Sequence, residues 1–140
     1  MPINGYKNVF IKIVSAIVSA ITFSLYSSWI IYTPVSERLS EVGYHSFSGI
    51  FAVNFVPNFF VFIILGVILS PLIDRIIFRK FNLNGIKGIL TIVLSYLLLG
   101  VVSGLLASIF FFNLYYILVS ILGAILFLFF QTVFHFVLFR

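Results

Sequence analysis

The sequence predicts an all-α integral membrane bundle of four transmembrane helices, and three observations carry that expectation. The 140-residue chain is 63% hydrophobic and only 8% charged, with a mean hydropathy of +1.29. A soluble domain runs nearer half apolar and a quarter charged, because its surface faces water. The apolar residues fall into stretches of about 20 or more, the length that crosses a hydrocarbon layer of about 30 Å. The formal net charge of +5 sits at the ends of those stretches and forms no stripe, which fits membrane orientation rather than nucleic-acid binding.

The first span is expected over 13–32, between Lys12 and the Thr33-Pro34 break. Its apolar stretch exceeds the roughly 7–15 residues of a signal-peptide core, and no small-residue cleavage site follows near Tyr32, so the segment is expected to be retained. Ala16, Ala20, Ser24 and Ser28 form a small-residue stripe, with Ser15 and Ser19 on an adjoining face. Such hydroxyls either bond their own backbone four residues back or line a solute path. The connection 33–48 carries Glu37, Arg38, Glu41 and His45, and its Val35, Leu39, Val42 spacing fits one interfacial helical turn.

The second span is expected over 49–72, stopped by Asp74 and Arg75. Within it Asn54, Pro57 and Asn58 form a polar interruption. Pro57 cannot donate a backbone hydrogen bond and frees the carbonyl of Val53, so a kink is expected. The two amides either pair with another helix to hold that kink or line a cavity, as polar breaks do in transporter helices. The connection 74–87 is basic, through Arg75, Arg79, Lys80 and Lys87.

From Gly88 to Phe139 there is no Asp, Glu, Lys or Arg, and one helix of that length would exceed twice the bilayer thickness. The chain must turn, best at Asn113-Leu114-Tyr115-Tyr116, where an amide precedes two tyrosines suited to the headgroup level. The third and fourth spans are then 89–112 and 116–137. Gly100, Gly104 and Ser108 place a small residue every four on one face, a seam for close helix approach within the chain or between copies. This stripe could pack against that of the first span. Gln131 and His135 share a face near the end of the last span, either as a hydrogen-bonded pair or with His135 in the headgroup layer beside Arg140.

Four spans put Lys7, Lys12, Arg75, Arg79, Lys80, Lys87 and Arg140 on one side and Arg38 alone on the other. The positive-inside rule then places both termini in the cytoplasm. Glu37, Glu41 and Asp74 are expected in connections on opposite sides, and no ionisable residue in a helix centre, where one costs roughly 2.5–3.5 kcal/mol. No catalytic pair follows from that arrangement. His45 and His135 lie near opposite faces and offer no axial haem pair. The absence of Cys removes disulfides, thiolate metal sites and Cys nucleophiles. No cofactor and no metal site is expected.

The Lys-bearing start, the Pro-containing second span and the basic middle connection resemble small four-span proteins of an uncharacterised bacterial membrane family. That resemblance implies a multi-pass protein of a bacterial inner membrane and brings no activity with it. In length the chain is also similar to the small four-helix multidrug exporters, whose membrane-embedded Glu has no counterpart in 13–32. The expected role is non-enzymatic: binding another membrane component, as immunity, regulatory or accessory proteins do. The alternative is a homo-oligomeric transporter or channel for a small neutral or hydrophobic solute. Expected partners are the lipid bilayer and a membrane protein or a second copy, with no nucleic acid.

Overall fold

The computed structural model describes residues 5–81 and 85–138; Arg140 lies outside them. Helix α1 is Gly5–Ile31, α2 is Phe47–Ile63, a π-helical segment is Ile64–Leu69, α3 is Ser70–Lys80, α4 is Gly85–Phe111 and α5 is Tyr115–Leu138. Segments α2, π and α3 run on as one unbroken rod, so four helical rods result, each long and apolar enough to cross a membrane. The all-α four-span bundle is therefore the architecture of the chain.

The second rod corrects the sequence reading at its end and adds a feature that the sequence did not show. It does not stop at 72 but continues to Lys80, 34 residues from Phe47, about 50 Å at 1.5 Å per residue. Asp74 and Arg75 end the apolar run but not the helix, since charged side chains are compatible with helical backbone, and Asp74 pairs with Lys12 of α1. The added feature is a helical irregularity. The α-helix runs through Pro57, and the departure from α geometry comes at Ile64–Leu69. That segment directly precedes Ser70-Pro71. A proline clashes with the carbonyl four residues earlier, and inserting one residue per turn, as a π-bulge does, relieves such a clash. The Ser70 N–H accordingly reaches back to the carbonyl of Leu65.

Helix α1 is the centre of the bundle. It packs on α2, on the π segment and on α5; α5 packs on α4, and α3 touches α4 at the end where the chain begins. Ala16 and Ala20 are fully buried and join Phe62, Leu65, Tyr96, Leu99 and Phe127 in the core. Small residues on α1 let its neighbours close in: a Cβ added at Gly66 would stand 2.7 Å from the Phe127 ring and 3.1 Å from Ala16 Cβ. The outer faces, with Leu98, Leu122 and Phe129 exposed, present hydrocarbon to the surroundings.

The stripe Gly100–Gly104 does not meet the α1 stripe. It packs on α5, where a Cβ at Gly104 would lie 2.6 Å from Ile117 Cα and one at Gly100 would lie 2.9 Å from Ile121 Cα. The short turn before Tyr115 is the reason, since it folds α5 straight back along α4. Phe112 adopts the left-handed conformation, φ 52°. Asn113 N–H then donates to the carbonyl of Ser108 at 3.2 Å, the six-to-one bond of a Schellman stop. Asn113 Oδ1 next accepts from Tyr115 N at 2.9 Å and starts α5.

At the opposite end the connection is tied down by its own residues. The expected interfacial turn is a short 3-10 turn, Val35–Glu37. Arg38 lies over the rings of Tyr32 and Tyr44, 5.4 and 5.5 Å from their centroids, and donates to the carbonyl of Thr33.

Candidate functional site

Polar and small residues within the spans were singled out by sequence. The structure engages most of them in helix packing and reveals a polar cluster that sequence reasoning did not assemble.

That cluster joins all four rods at the end bearing Lys12. Lys12, 1% exposed, donates from Nζ to Asp74 Oδ2 as an ion pair and to Ser70 Oγ at 2.7 Å. Ser70 Oγ in turn lies 2.6 Å from the Tyr96 hydroxyl. That hydroxyl is 3.0 Å from Gln131 Oε1 and 3.2 Å from Asp74 Oδ1, so both oxygens accept from it. Tyr96 stacks on Phe127 at 6.3 Å, which holds its ring in the core. α1 thus contributes Lys12, α3 contributes Ser70 and Asp74, α4 contributes Tyr96 and α5 contributes Gln131.

Asp74 does not lie in a connection, as its charge led us to expect, but in α3, with Ser70 one turn before it on the same face. Measured along the rod it is about 40 Å from Phe47, more than the roughly 30 Å of a hydrocarbon layer. Lys12, Ser70, Asp74 and Tyr96 were all missed. One signal was legible: Asp74 is the single acidic residue on the strongly basic side, and a partner among those bases follows from it.

Of the two arrangements open to Gln131 and His135, a hydrogen bond between them is not the one the structure shows. Gln131 turns inward to Tyr96, whereas His135 is exposed with its ring edge-on to Phe136. The Tyr96 hydroxyl takes the side chain of Gln131, one turn earlier on the shared face, away from His135.

Asn54 and Asn58 pair with serines of α1. Asn54 Nδ2 donates to Ser28 Oγ at 3.1 Å, and Asn58 Nδ2 to Ser24 Oγ at 3.0 Å. The four-residue spacing on both helices makes this a two-rung ladder. Ser15 bonds the carbonyl of Ile11, and Ser19 Oγ, fully buried, has no partner. Pro57 sits between the rungs without interrupting α2.

A second open feature lies at the far end of the α1–α2 seam. A groove of about 360 Å³ is lined by Ile31, His45, Gly49, Ile50, Val53 and Asn54. Among the described residues, no three His, Asp or Glu side chains stand together as a metal site. Compared with protein-family models, with curated proteins and with solved structures, the chain matches none.

Proposed function

We propose that the chain is a non-enzymatic, multi-pass protein of a bacterial-type cell membrane that acts by binding another membrane component, in an immunity, regulatory or accessory role. The observation that carries this reading is how the polar side chains of the spans are used. Lys12, Asp74, Ser70, Tyr96 and Gln131 are bonded to one another, and Asn54 and Asn58 to Ser28 and Ser24. Between these two sets Phe62, Leu65, Leu99 and Phe127 fill the interior. Groups spent in this way brace a bundle; the surfaces left to act face outward. The gathering of Lys7, Lys12, Arg75, Arg79, Lys80 and Lys87 at one end supports cytoplasmic termini.

The test is a photocrosslinking residue at Val53, beside the groove, compared with one at Leu98 on an outer face of α4. A near-stoichiometric adduct distinct in mass from a second copy is expected at Val53 alone. A cysteine at Phe81 is expected to be shielded from an impermeant thiol reagent in intact cells, and one at Ser46 to react. Gradient-driven uptake by the protein in liposomes would overturn the reading.

A second reading has one observation in its favour. Ser19 Oγ on α1 is buried without a partner among the described residues, a free polar group that a path for a small neutral solute, opening along α1 in a homo-oligomer, would use. Recovery of self-adducts alone would move weight to it.

A further inference from the structure

We propose that the groove at the far end of the α1–α2 seam is a binding site for a zwitterionic glycerophospholipid of the surrounding leaflet. This deepens the reading above, on which it rests, by naming the membrane component.

Depth is the first argument. The groove starts at His45, in the connection, and descends to Asn54, seven residues or about 10 Å inside the start of α2. That interval runs from the headgroup layer into the upper hydrocarbon.

Lining is the second. Ile31, Ile50 and Val53 give it apolar lining and His45 and Asn54 polar lining, with His45 in the connection and Asn54 farthest along α2. Asn54 uses one amide N–H on Ser28, which leaves the other to donate to an ester carbonyl, while the His45 ring N–H can donate to a phosphate oxygen. Gly49 keeps the wall low: within 4 Å of a Cβ placed there stands only Ser46 Oγ. A slot of about 360 Å³ admits a flexible chain. A helix about 10 Å across would fill that volume in about one turn, so a helix of a second copy fits it poorly.

Charge selects the headgroup. The connection beside the groove carries Glu37 and Glu41 against Arg38 alone, and Arg38 is held by Tyr32, Tyr44 and Thr33. A connection of net negative charge, the one that supplies His45, favours a headgroup that ends in an ammonium and repels an anionic one. Anionic lipid is instead drawn to the other end, where Arg75, Arg79 and Lys80 project.

The experiment reconstitutes the full chain in nanodiscs with an acyl-diazirine phosphatidylcholine or phosphatidylglycerol and maps adducts by mass spectrometry. Adducts are expected within 49–54, several-fold more with phosphatidylcholine. Val53→Trp should fill the groove and abolish them without changing the melting temperature, because Val53 is 75% exposed; His45→Ala should lower the yield a few-fold. Equal labelling by both lipids, or the same yield at Leu98 and Leu122 as at 49–54, overturns the proposal. If the Val53 crosslinker captures a protein and the lipid probe labels nothing there, the lipid proposal fails and the membrane-binding reading stands. If neither labels the groove, both fail.

Discussion

The α1–α2 and α4–α5 seams solve one problem with different chemistry. Inside lipid the surrounding solvent is as apolar as the helices, so burial of hydrocarbon does not hold two helices together. The first seam is held by a ladder of side-chain hydrogen bonds, Asn54 to Ser28 and Asn58 to Ser24. The second is held by contact, with Gly100 and Gly104 against the backbone of Ile117, Ser120 and Ile121. A hydrogen-bonded ladder stretches and finds substitute partners; backbone against backbone has nothing to yield. The steric seam is therefore the more sensitive to mutation, although the polar one is the more conspicuous in the sequence.

The largest effect is expected at the clamp that ties the two seams together. Asp74→Asn leaves the Lys12 ammonium buried without its counter-charge, and breaking a buried pair costs roughly 3–5 kcal/mol. Melting in detergent should drop markedly. The double variant Lys12→Met, Asp74→Leu should recover most of the loss, because an apolar pair of similar volume carries no desolvation penalty. A double variant as unstable as the single one would show that the cluster holds the bundle by geometry rather than by charge.

Next comes the steric seam. Gly104→Ala places a Cβ 2.6 Å from Ile117 Cα, so α4 and α5 must part, at about 1–3 kcal/mol. Leu98→Ile, at a side chain 66% exposed, is the control and should change the melting temperature little. Equal melting of the two variants would remove the contrast between the seams.

Phe112→Gly should act with the opposite sign. A phenylalanine held at φ 52° carries a left-handed cost of about 1–2 kcal/mol that glycine does not. The gain should be about 1 kcal/mol, because the extra freedom of glycine in the unfolded chain offsets part of it.

The polar seam should respond least. Asn58→Leu removes one rung, and interhelical hydrogen bonds in membranes average about 0.6 kcal/mol. Asn54→Leu should match it, and the two should add, since each rung has its own serine. A loss of several kcal/mol from either amide would reverse the ranking of the seams.

Much of this molecule was legible from one-dimensional features. Span number follows from the length of apolar stretches, and the turn at Asn113 from a charge-free segment too long for one helix with an amide inside it. The small-residue face of α4 follows from spacing alone. Each of these properties belongs to a short segment and its solvent, so neighbouring residues suffice to determine it.

What only the tertiary structure decided is which segments meet. Gly100 and Gly104 close on α5 and not on α1, because the tight turn at Phe112 fixes α5 as the nearest surface. The serines of α1 that accept from Asn54 and Asn58 are 26 and 34 residues away, and Lys12 finds Asp74 across 62. The second helix also runs on past that charge, which, read locally, ends the span. A charge ends an apolar run but not the helix that carries it, and which partner it finds depends on residues remote in the chain. The same holds for the π segment: Ser70-Pro71 disturbs the backbone locally, but the register that aims Ser70 and Asp74 at Lys12 exists only once α1, α4 and α5 surround it.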